Sequence, residues 1–94
     1  MVFKVTAFEW DDFNRSELSN HDIFGNEAET VFIGKCYWWK SRVVKGERRY
    51  RVTGKTFDGR FLTLVATIKS KENIRVITGW DAEDWEIKKW RSKK

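Results

Sequence analysis

Apolar and polar residues alternate from Val2 to Trp10, with Phe3, Val5 and Ala7 on one side, a spacing that predicts a strand or an extended segment. Asp11 or Asp12 is placed to cap a short helix running to about Asn20, with Phe13 and Leu18 as its apolar positions. Gly25-Asn26 opens a second helix, Glu27 to Ile33. Ala28, Val31 and Phe32 share one of its faces, and Gly34 stops it. The period then changes to two. Residues Cys36–Val44, Glu47–Phe57, Arg60–Ser70 and Asn73–Gly79 predict four strands joined at Lys45-Gly46, Asp58-Gly59 and Lys71-Glu72. Links this short force antiparallel neighbours. Asp81 is then expected to cap a last helix, Ala82 to about Arg91, with Glu83 and Asp84 placing negative charge in its first turn.

The expected fold is α+β: a four-stranded antiparallel meander, to which the N-terminal strand can add. Two short N-terminal helices pack on one face and a C-terminal helix follows. Residues 1–94 form a single domain, one domain's worth of chain with one modest core.

If each hairpin loop holds two residues, the register can be counted outward from the turns. Trp39 then lies beside Val52, Val65 and Thr78, and Ser41 beside Tyr50, Thr67 and Val76. This aromatic and β-branched face is assigned to the core. The opposite face has one row reading Arg42, Arg49, Ile68, Arg75 and another reading Lys40, Arg51, Ala66, Ile77. Three arginines in one row repel each other and weaken a sheet unless an anion sits among them. Any one of them reads most simply as a solvating charge; the row together points to a polyanion.

Charge strengthens that picture. The 19 Lys and Arg outnumber 14 Asp and Glu, giving a net +5, which favours nucleic acid or an acidic protein as partner. Six Trp residues supply either compact core area or stacking surfaces for bases. One cysteine, Cys36, cannot form an internal disulfide. No N-terminal apolar segment reads as a signal peptide, and no apolar run approaches the roughly 18 residues of a membrane span. A cytoplasmic location is the expectation.

With His21 the only histidine and Cys36 the only cysteine, no His/Cys zinc site can be assembled, and no glycine-rich phosphate loop is present. Asp11-Asp12 reads as a helix cap before it reads as a metal site. Neither a cofactor nor a metal is expected. RNA cleavage needs neither, because the adjacent 2′-hydroxyl is a built-in nucleophile. A protein then has to move protons and stabilise charge on the phosphoryl oxygens. Arginine suits the second task and histidine the first, although His21 reads equally well as a local helix-end residue.

Phe8-Glu9-Trp10-Asp11, a histidine ten residues after Asp11, an amphipathic helix, Gly46-Glu47-Arg48-Arg49-Tyr50 and Ile74-Arg75-Val76-Ile77 together resemble the BrnT family of bacterial toxins over nearly the whole chain. The resemblance implies a fold like that of the RelE-type ribonucleases and RNA cleavage that arrests growth. It also implies inhibition by a ribbon-helix-helix antitoxin, through which the complex would bind operator DNA. It implies active-site roles for His21, Arg49 and Arg75, with Glu47 and Tyr50 as neighbours. Asn20-His21-Asp22 stands where the family commonly has Lys-His-Gly, and Thr78-Gly79-Trp80 where it commonly has Ser-Ala-Arg. Two cations are thereby absent, and Lys40, Arg42, Arg51 and Trp80 are the candidates to contact RNA in their place.

Three functions follow. The first is a metal-independent endoribonuclease toxin. The second is a non-catalytic nucleic-acid binder derived from one, with Trp38 and Trp80 as stacking platforms. The third is a protein-interaction module anchored by Trp85 and Trp90. None involves a membrane.

Overall fold

The computed structural model of the chain describes residues 7–70 and 73–92. Most of the N-terminal alternating segment and the Lys71-Glu72 link lie outside the described residues; of the former, Ala7–Phe8 forms strand β1. Asp11 begins the first helix as its sequence position requires. Its side chain accepts from the Asn14 N–H at 3.0 Å, and the Asn14 side chain accepts from the Asp11 N–H at 2.8 Å. This reciprocal cap starts α1 (Asp12–Ser19). The other end of the buried Asn14 amide donates to the Glu9 and Val76 carbonyls, each at 2.9 Å, and so ties the helix to the sheet. Asp22, with φ of 57°, reverses the chain into α2 (Gly25–Ile33). Leu18, Ile23, Ala28, Val31 and Phe32 from this helical pair are buried. Phe13, expected on the apolar side of α1, is 84% exposed.

The expected first long strand is divided into β2 (Cys36–Trp38) and β3 (Arg42–Val44). Trp38 pairs with Val52, whereas Arg42 pairs with Arg49, so one extra residue is accommodated between them. This bulge sends Trp38 toward the core, while Trp39 donates its indole N–H to Thr53 on the other face. Lys45 and Gly46, with φ of 51° and 79°, make the two-residue turn into β4 (Glu47–Lys55).

The Asp58-Gly59 link is wider than expected. Thr56 N–H donates to the Arg60 carbonyl, Gly59 N–H to the Thr56 carbonyl, and Arg60 N–H to the Thr56 hydroxyl. The loop therefore holds Phe57, Asp58 and Gly59 before β5 (Phe61–Ser70) begins. Val52 consequently faces Leu64 instead of Val65. A second irregularity between Val65 and Ala66 shifts the pairing with β6 (Asn73–Asp81) by one residue.

These shifts correct the expected faces. Val52, Leu62, Leu64, Ala66, Ile74 and Val76 lie in the core under α1 and α2, with Trp38 and Ile68 packed against it. Gly79 belongs to this layer because a Cβ there would meet Leu64 at 2.6 Å. Trp39, Val65 and Thr78, expected in the core, belong to the opposite face, and Ala66, expected opposite, is buried.

The sheet is also larger than a four-stranded meander. β1 pairs in parallel with β6, and the order is β1-β6-β5-β4-β2, with β3 also on β4. β6 runs on to Asp81, so the last helix, α3 (Asp84–Arg91), starts later than expected, with Glu83 as its N-cap. Asp81 pairs with Arg60 instead of capping. Buried Glu86 accepts from the Glu83 N–H and from the Trp80 indole. Trp85 packs edge-on to Trp39 and Trp90 edge-on to Phe61. α3 thus covers one end of the sheet face that the first two helices leave free. The other end stays open. No helix among the described residues is long and apolar enough to cross a membrane.

Candidate nucleic-acid interface

The open end of that face is a concavity of about 450 Å³ lined by Lys40, Arg42, Val44, Arg49, Tyr50, Arg51, Val65, Thr78 and Trp80. Among the described residues that line it are four cations and no carboxylate. Its elements explain the grouping. The Lys45-Gly46 turn sets Arg42 opposite Arg49, and the period of two along β4 puts Arg49 and Arg51 on one side. Val44 and Val65 add apolar wall, and the Trp80 ring is held by its N–H on Glu86 at 3.3 Å.

Arg51 is held without any carboxylate among the described residues. Its guanidinium lies 4.5 Å from the Trp39 ring centre and 5.4 Å from that of Trp85. Arg49 has a loose contact with Glu47 at 3.6 Å, and Glu47 also reaches Lys69 at 3.4 Å. Arg49 Nε is buried yet has no hydrogen-bond partner, and the same holds for the hydroxyl of buried Thr67. Continuing the Tyr50–Ala66 register by one residue brings Arg49 beside Thr67, which itself pairs with Arg75. The row is therefore Arg42, Arg49, Thr67, Arg75, with Thr67 where Ile68 was expected. Unsatisfied donors at its centre suit an anionic oxygen.

Arg75 shares the row but not the concavity. Its Nη1 donates to Asp11 at 2.8 Å and to Glu9 at 3.2 Å, and its Nη2 donates to Asp11 at 3.3 Å. The Asp11 hydrogen bonds raise the affinity of Arg75 for its proton, and Arg75 in turn holds the Asp11 carboxyl below its ordinary value. Two carboxylates already neutralise this cation, which joins β6 to the start of α1.

His21 stands at the end of α1, its Nε2 3.6 Å from Glu17 Oε2. The same Glu17 oxygen accepts from the Thr78 hydroxyl at 2.9 Å, and Thr78 lines the concavity. His21 therefore reaches the site through Glu17 and Thr78. Its loop is fixed by Arg60, which donates to the Asp22 carbonyl at 2.7 Å and pairs with Asp81 and Glu27. The bond to Asp81 is the main reason that Arg60 holds its proton more tightly than usual.

Of the expected residues, Lys40, Arg42, Arg49, Arg51 and Trp80 come together, Tyr50 borders them with its ring turned to Trp38 on the core side, Glu47 sits beside Arg49, and His21 lies behind the rim. Arg75 is apart. Trp38 stacks on Phe32 and Tyr50 as part of the core layer, so it is not an open platform. Glu17, Thr67 and Thr78 were missed. Glu17 lies four residues before His21, a helical spacing that was available in the sequence. Comparison with models of known protein families finds no match, and comparison with curated proteins finds none either.

Proposed function

We propose that this chain is a metal-independent ribonuclease of the RelE-like toxin type, binding the RNA phosphodiester in the basic concavity. The observation that carries the reading is the grouping of Lys40, Arg42, Arg49 and Arg51 in one concavity, beside the Trp80 ring, whose described lining includes no carboxylate. Planar guanidinium groups grip phosphate oxygens in pairs and stay charged as negative charge grows on them. The attacking group is the substrate's own 2′-hydroxyl. As its oxygen bonds to phosphorus, the bond to the 5′ oxygen breaks. The products are a 2′,3′-cyclic phosphate and a 5′-hydroxyl. The 2′ proton passes by way of Thr78 and Glu17 to His21, and solvent protonates the leaving oxygen. Arg75 is reassigned from the phosphate to the joint between α1 and β6. Toxicity, and inhibition by a ribbon-helix-helix antitoxin, follow from the resemblance alone.

A second reading, a non-catalytic RNA binder, is favoured by the engagement of Arg75 with Asp11 and Glu9, which removes one expected cation from the phosphate. Incubating the purified protein with RNA in chelator separates the two. Cleavage that is lost in Arg42→Ala/Arg49→Ala supports the ribonuclease. Salt-sensitive binding with intact RNA after long incubation supports the binder.

A further inference from the structure

Trp85 is large, aromatic and 52% exposed, and its ring centre lies 5.4 Å from the guanidinium of Arg51, which lines the concavity. We propose that it is a base-stacking subsite for the nucleotide next to the bound phosphate, and that the substrate is therefore single-stranded; this rests on the RNA reading of the concavity. Arg51 links the two places physically. It lines the concavity and also stacks near both Trp39 and Trp85. A strand leaving the concavity past Arg51 meets the Trp85 ring next.

The ring is held ready. Its N–H donates to Glu83 at 3.0 Å, and it packs edge-on against Trp39 with ring centres 5.3 Å apart. A fixed ring gives up little freedom when a base stacks on it. The charges nearby sort base from backbone. Glu83 and Asp84 are exposed beside Trp85 and repel phosphate, so a neutral base fits there better than the backbone does. Lys88 and Lys89 are exposed three and four residues further along the same helix, spacings that share a helix face with Trp85, with no ion pair to a carboxylate among the described residues. They suit the following phosphate. An aromatic ring between two basic stretches is how single strands are held without regard to sequence. A duplex, with its bases already stacked, cannot use it.

The test measures binding of a short oligouridylate and of an abasic oligoribonucleotide of equal length to the full chain. Trp85→Ala is expected to weaken the oligouridylate about tenfold and leave the abasic strand unchanged, because stacking on one aromatic residue contributes on that order. Trp85→Phe is expected to keep most of the affinity. Equal loss on both strands makes Trp85 a structural support of α3 and overturns the proposal. Unchanged oligouridylate affinity assigns the ring to another task, such as a protein surface, and also overturns it. In either case a loss in Arg42→Ala/Arg49→Ala still stands as support for the concavity. If that double variant binds as the parent does, the concavity reading itself fails.

Discussion

Arg49 and Arg75 occupy one row of one sheet, yet the two ends of that row do different work. Arg75 lies against Asp11 and Glu9, its charge neutralised and its position fixed. Arg60, at the other end of β6, is treated in the same way by Asp81 and Glu27. Arg42, Arg49 and Arg51 instead share a concavity whose described lining holds no carboxylate, and Arg51 is steadied by indole rings that leave its charge intact. Row membership alone says little about availability to a ligand. What decides it is whether an acidic residue from another element lies within reach. At Arg75 the capping residue of α1 supplies one. In the concavity no described residue of another element does, and the one nearby acid, Glu47, sits on the same strand as Arg49 at 3.6 Å.

The sharpest way to break this contrast is to delete two concavity cations. Arg42→Ala/Arg49→Ala should lower RNA affinity by at least about a hundredfold, since each charge-assisted bond contributes about 1.5–3 kcal/mol. The slope of log affinity against log salt should fall by about 1.4, as two fewer phosphates are neutralised on a single strand. Filter binding across a salt series reads both.

Arg75→Ala should behave in the opposite way. RNA affinity stays within about twofold, while the melting temperature drops by a few degrees, as expected for a partly exposed pair in a small domain. Thermal melts followed by circular dichroism measure that drop. Its pH dependence sharpens the assignment. Asp11 is held below its ordinary carboxylate value of 3.8, so its pairing contributes stability above that pH and loses it as pH falls through the depressed value. The gap between parent and Arg75→Ala should be full at neutral pH and close in acid. The smallest effect belongs to Glu47→Gln. Removing the one carboxylate beside Arg49 should raise RNA affinity by about twofold, because the contact is long and half-exposed.

The sequence carried the first two helices well because their signals are local, whereas Asp81, expected to cap the third, ends β6 instead. Asp11 caps α1, and the Ala28, Val31, Phe32 face of α2 is buried as its spacing implies. Register was less legible, since it depends on single-residue choices at turns. Asp58-Gly59 looked like a two-residue link, but the Thr56 hydroxyl binds Arg60 N–H and closes a wider loop. The bulge near Ala66 then shifts β6 by one in the compensating direction. Two offsets cancelled, which is why the arginine row survived while Val65 and Thr78 changed faces. Local patterning contains no trace of such bulges. The pairing of Arg75 was equally hidden, because Asp11 lies 64 residues away and already had a sufficient role as a cap.

The most direct test uses the indole N–H groups as reporters in a nitrogen-15 NMR titration with a short single-stranded oligoribonucleotide. Trp80 in the concavity should shift, while Trp10, bound to Glu29 beside Arg15, stays in place. Shifts confined to Trp10 and the Arg75 edge, with Trp80 unmoved, would contradict a polyanion seat between β3, β4 and β6.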